Sequence, residues 1–157
     1  MAWITNGTPD TLTGAGDTLE ITDLTAKKFN TILCNAITTG TIDTNITLDN
    51  ITTSTYAVRS SSDGGADGTS TSRANFNTGG DDADGFHVCY IINITSEEKL
   101  VIGKKVDASA VGAGTAPQRR EWVGKSTQSA QFTQINFEQA GANSFDTNSN
   151  LSALGTD

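Results

Sequence analysis

Gly85-Phe86-His87-Val88-Cys89-Tyr90-Ile91-Ile92-Asn93-Ile94-Thr95-Ser96-Glu97-Glu98-Lys99-Leu100-Val101-Ile102-Gly103 is the stretch whose reading decides the fold. Phe86, Val88, Tyr90, Ile92 and Ile94 fall on every second position. That is the period of a strand with one buried face, and it assigns this set to the buried side. A polar turn from Ser96 to Lys99 follows, and Leu100-Val101-Ile102 resumes the apolar pattern. The spacing predicts a β-hairpin, the unit from which sandwiches are built.

The rest of the chain repeats the design. Alternating or apolar segments at 18–22, 29–37, 41–49, 55–59, 118–124, 131–137 and 150–155 read as further strands. Leu19 and Ile21 are expected inward on the first. Ile42, Ile46 and Leu48 share a face on the third, with Thr44 between them. No long segment of Ala, Leu, Glu and Lys carries a 3.6-residue period, so little helix is expected. Thr suits pleated strands, and abundant Gly, Asn, Asp and Ser supply the turns. The expected fold is all-β: one antiparallel β-sandwich domain of jelly-roll type, with about eight to ten strands. Residues 1–17 read as an extended N-terminal arm, and residues 18–157 as the sandwich. Loops are expected at 60–72, where no apolar anchor occurs, at the acidic 78–85 and at the small-residue 107–117.

Composition narrows the function. The 157 residues carry 10 Lys and Arg against 18 Asp and Glu, a net charge of -8. A cation-poor surface argues against nucleic-acid backbones and against anionic membranes. Apolar runs fall far short of a membrane span. The opening Met1-Ala2-Trp3-Ile4-Thr5 shows no signal-peptide pattern, which predicts synthesis in a cytoplasm. The sequons at Asn6, Asn45, Asn50 and Asn93 are then matters of composition rather than glycosylation sites.

The inventory for chemistry is thin. His87 is the one histidine; no nucleophile motif accompanies it, and a general base needs a partner and a pocket. No enzyme is expected. Cys34 and Cys89 lie inside apolar strands and read as buried, reduced small hydrophobes, with a disulfide between adjacent strands as the alternative. Asp82 and Asp84, within Asp81-Asp82-Ala83-Asp84-Gly85, resemble a fragment of a calcium loop. They are the candidate ligands for Ca²⁺, although no Glu follows at the required distance and a solvated acidic turn is the main reading; no other cofactor is expected. Trp122 reads as core, with a sugar-stacking face shared with Tyr90 as the alternative. The candidates for interaction are Trp3 and Ile4 on the arm, Asp63 and Asp67 in the Gly-rich loop, and the pair Arg119-Arg120 beside Glu121.

The run Ile92-Asn93-Ile94-Thr95-Ser96-Glu97-Glu98-Lys99-Leu100-Val101-Ile102-Gly103 resembles a hairpin in small jelly-roll structural proteins of tailed bacteriophages. The C-terminal third is similar to the same group: Gly114-Thr115-Ala116-Pro117, Trp122-Val123-Gly124-Lys125, Phe132-Thr133-Gln134-Ile135, and 144–155 with its closing Leu151-Ser152-Ala153-Leu154-Gly155. So is the segment from Thr8 to Asn30. The resemblance implies a virion location and assembly in the host cytoplasm. The expected role is a capsid decoration, or cement, protein on the major capsid protein, working as a homo-oligomer with a trimer favoured. A tail-fibre or receptor-binding module contacting host glycans is the alternative, and a free carbohydrate-binding module ranks third.

Overall fold

The computed structural model describes residues 2–38, 40–81, 84–110, 112–141 and 144–157. Among them run thirteen strands: β1 (Ile4–Thr5), β2 (Asp10–Thr11), β3 (Thr18–Ile21), β4 (Phe29–Ala36), β5 (Ile42–Leu48), β6 (Tyr56–Ser62), β7 (Gly68–Arg73), β8 (Phe76–Asp81), β9 (Gly85–Ile92), β10 (Lys99–Asp107), β11 (Gln118–Ser126), β12 (Ile135–Gln139) and β13 (Asn150–Thr156). They form two antiparallel sheets, an all-β sandwich. The large sheet has nine strands in the order β1-β13-β4-β9-β10-β11-β6-β7, with β2 also on β13. The small sheet has four, β3-β12-β5-β8.

The chain shuttles between the sheets, and each crossing delivers apolar side chains to one shared core. Leu19, Ile21, Ile46, Leu48, Phe76, Ile135 and Phe137 come from the small sheet. Ile32, Cys34, Cys89, Ile91, Val101, Trp122, Leu151 and Ala153 meet them from the large one. Tyr56, Phe76 and Trp122 form an aromatic run, with ring centroids 4.7 Å and 5.7 Å apart. Trp122 is thus core, as its strand position suggested.

The arm is fastened to its own domain. Ile4 and Thr5 pair with Gly155 and Leu154, and Asp10 and Thr11 pair with Leu151 and Asn150, all on β13. Asn6, buried, donates its amide to Asn30 Oδ1 at 2.8 Å and its backbone N–H to Ala153 at 2.9 Å.

The segment expected as a loop at 60–72 is mostly a β-ribbon, since β6 and β7 pair on either side of a five-residue connection, 63–67. Its Ser and Thr residues offered no apolar signal, and every residue of β7 is exposed. Backbone pairing to β6 and tolerance of Thr in strands suffice at an edge. The loop between β10 and β11 lies where expected. The last strand but one begins at Ile135 rather than 131, because Phe132 plugs the core from a connecting segment instead. Phe132 exchanges both backbone bonds with the Asn93 side chain, at 2.9 Å and 3.0 Å.

The hairpin that opened the sequence reading forms as β9 and β10, with Ile102 opposite Tyr90 and Val106 opposite Phe86. Its facing is the reverse of the expected one. His87, Cys89 and Ile91 point into the core, while Phe86 and Tyr90 are exposed. Space decides this. Gly103, on the core side of β10, lies opposite both Cys89 and Trp122, and a Cβ on it would stand 1.9 Å from the Trp122 ring. His87 packs edge-on against Phe137 at 5.7 Å. The layer under β9 and β10 is already filled from β11 and the small sheet, so the bulky odd-one-out set has to face away.

Candidate functional site

The outward set forms ordered rows across the large sheet. Cross-strand register aligns Thr31, Tyr90, Ile102, Val123, Arg59 and Thr69 in one row from β4 to β7. A neighbouring row holds Phe29 and Ile92, with Leu100 beside them facing Lys125. On the other side lie Leu33, Val88, Lys104 and Glu121, then Phe86, Val106 and Arg119. Opposed side chains on one face of a sheet touch, so these rows make a continuous surface. Ile102 is 56% exposed and Tyr90 51%, at its centre. Scattered exposed apolar residues are ordinary, whereas a contiguous patch rimmed by polar groups marks a binding surface.

The inversion runs further than the apolar residues. On β10, Leu100, Ile102 and Val106 face solvent while Lys99, Lys105 and Asp107 are buried. Lys99 lies under the hairpin turn. Its Nζ donates to the carbonyls of Ile94 at 2.6 Å, Glu97 at 2.7 Å and Ser129 at 3.3 Å. Desolvation pulls its pKa below the usual lysine value, partly offset by the Glu97 carboxylate. Lys105 Nζ reaches the Gly79 carbonyl at 3.2 Å. The strand accepts the cost of burying these groups and still leaves three large apolar side chains in water.

The patch is hollowed. A trough of about 1010 Å³ crosses it, bounded by Trp3 at the arm edge, floored by Tyr90, Leu100, Ile102 and Val123, and closed by Thr69 and Thr71 of β7. A smaller hollow of about 260 Å³ continues beside Phe86, Val88 and Val106. Charged groups rim the surface and pair with one another: Lys104 with Glu121 at 3.3 Å, Lys125 with Glu98 at 3.1 Å, and Arg59 with Asp67 at 3.2 Å.

The residues singled out from sequence fall on this surface unevenly. Trp3 lines the trough and is 48% exposed; Ile4 is exposed but lies off it, opposite Gly155. Asp67 holds Arg59 on the trough wall. Asp63 turns the β6–β7 ribbon and accepts the Arg119 N–H at 2.9 Å. The arginine pair is divided, since successive strand residues face opposite ways. Arg119 is exposed, whereas Arg120 reaches Ser62 Oγ at 3.0 Å and lies across Gly79, where a Cβ would stand 1.4 Å from its guanidinium. Glu121, taken from sequence as the arginines' neighbour, is bonded to Lys104.

Asp82 lies outside the described residues, and Asp84 is exposed, its carboxylate accepting the Thr38 N–H at 3.0 Å. No group of three metal-ligating side chains occurs among the described residues. Cys34 and Cys89 sit on neighbouring strands, both buried and neither in a disulfide. Burial pushes the Cys89 thiol pKa far up, which makes it a poor nucleophile. Asn6, Asn45 and Asn93 of the sequons are buried.

Sequence reasoning found the alternating set of β9 and assigned it to the wrong side, and it gave β10 no facing. Charged Lys99, Lys105 and Asp107 alternating with apolar neighbours was the available clue, and it pointed the other way. No family model matches the chain, and no curated protein is significantly similar to it.

Proposed function

We propose that this chain is a structural protein of a tailed-bacteriophage virion. In this reading it is a capsid decoration protein that binds and stabilises the major capsid shell as a homo-oligomer, after synthesis in the host cytoplasm. The carrying observation is the apolar outer face of the large sheet, built by turning β9 and β10 against the usual polarity. Such a face is a liability for an isolated molecule and an asset for one that spends its working life against other proteins. Supporting it are the two-sheet sandwich and the resemblance of its hairpin and C-terminal third to phage structural proteins.

Cryo-electron microscopy of the particle tests this. Density repeated over the icosahedral shell is the expected result; density confined to the tail or one vertex refutes decoration. One observation favours a second reading, a receptor-binding module for host glycans. Trp3 and Tyr90 stand in the same trough as Thr69 and Thr71, and aromatic faces beside hydroxyls suit sugars. Glycan-array binding lost in Tyr90→Ala would support that reading.

A further inference from the structure

We infer that the outer face of the large sheet packs against the same face of a second copy of this chain, as a two-fold dimer. The inference rests on reading that face as a protein-docking surface and names its partner.

Extent is the first argument. From β4 to β7, the strands that the aligned rows cross, the sheet spans five spacings of about 4.8 Å, or roughly 24 Å, and the rows run about 20 Å along the strands. That is a projected ~480 Å² before side-chain relief is added, against the ~800 Å² of accessible surface that each partner gives to a standard interface. With that relief added, the face approaches the size a specific complex needs.

Charge is the second. Each copy carries a net charge of -8, so copies repel wherever their general surfaces meet. On this face the rim cations Lys104, Lys125 and Arg59 each hold a carboxylate of their own chain. The centre of the face is thereby neutral, with the exposed Arg119 at its margin, so two centres can meet without juxtaposing like charges.

Symmetry is the third. A two-fold interface needs the same patch on both chains, and this is one continuous patch. A three-fold ring needs two different patches on each chain.

Trp3 supplies an internal reporter. It lines the trough and is half exposed, while Trp122, the only other tryptophan, is buried in the core. Closure of the face therefore moves Trp3 out of water and leaves Trp122 where it was.

Light scattering after size exclusion, on the full chain, is the test. The expected mass is twice the 16.4 kDa of one chain at micromolar concentrations. Dilution should then shift the tryptophan emission to the red as Trp3 is exposed. Ile102→Glu puts a carboxylate at the centre of the face and should weaken the dimer by about 100-fold, as loss of a central hot spot does. Leu100→Lys is the second variant, and an unchanged near-ultraviolet dichroism of buried Trp122 certifies the fold of each. A monomer, a trimer, or a dimer that Ile102→Glu leaves intact overturns the inference. The two readings fail separately. A monomer found on shells overturns the dimer alone, and a dimer absent from every shell overturns decoration alone.

Discussion

Gly103→Ala should destabilise this protein far more than one methyl group suggests. The new Cβ would stand 1.9 Å from Trp122 Cε2 and 2.3 Å from Cζ2 and Nε1. Carbon contacts settle near 3.5–4.0 Å, so the ring must withdraw by about 1.5–2 Å. It has nowhere to go. Phe76 lies behind it at 5.7 Å between centroids, and Tyr56 stands edge-on to Phe76 at 4.7 Å. Gly124 closes another side, where even a Cβ would meet Phe76 at 2.8 Å. Overpacking a tight core costs about 1–3 kcal/mol, and an unyielding aromatic run puts this case near the upper end, about 3 kcal/mol. For a chain of this length that is a fall of roughly 6–12 °C in Tm. Urea unfolding followed by tryptophan emission measures it, with near-ultraviolet dichroism reporting the Trp122 environment. Gly114→Ala is the control, since nothing lies within 4 Å of its Cβ position, and it should stay within about 0.5 kcal/mol of the parent. If Gly103→Ala matched that control and kept the same dichroism, Trp122 would not lie under Gly103, and the reason given for the reversed hairpin would fail.

Asn93→Leu removes both bonds to the Phe132 backbone and should cost about 3 kcal/mol by leaving a buried N–H and C=O unmet; a change below 1 kcal/mol in urea titration would contradict the pairing. Lys99 has its folded pKa lowered from 10.5, chiefly by desolvation. Between that lowered value and 10.5 the unfolded chain binds the extra proton, so the Lys99 contribution to stability rises with pH there. The stability difference between the parent and Lys99→Met should therefore grow in the parent's favour across the alkaline range, and a flat difference would count against the desolvated lysine. Cys34 and Cys89 are buried thiols, so a thiol reagent should find none in the native protein at neutral pH and both in urea; finding none in urea would indicate a disulfide.

Much of the strand map was legible because it follows from local chemistry. Thr18–Ile21, Ile42–Leu48 and Asn150–Thr156 begin or end within a residue or so of where alternation placed them. Ile21, Ile46 and Leu48 went inward as expected, since each of their strands offers only one strongly apolar set. Gly68–Arg73 was illegible because its strand is held by backbone bonds to β6, to which no side chain testifies. The interaction candidates were legible in type but not in place: Trp3 reached the trough, while Arg120 turned away from it across Gly79.

By itself, the sequence determined that this chain alternates, turns often and forms a β-sandwich. Period two is a property of each strand alone, fixed by the geometry of the extended backbone. Which side of β9 and β10 faces inward was decided only in three dimensions. Hydrophobicity ranks Phe86, Val88, Tyr90 and Ile92 above Gly85, His87, Cys89 and Ile91, and so points to the wrong face. The volume left under Gly103 and Cys89 by Trp122, Phe76 and Phe137 ranks them instead, and those residues arrive from distant segments. The same packing choice that completed the core put Tyr90, Leu100 and Ile102 in water, which is how a question of space inside the molecule produced the surface on which its function is proposed to rest.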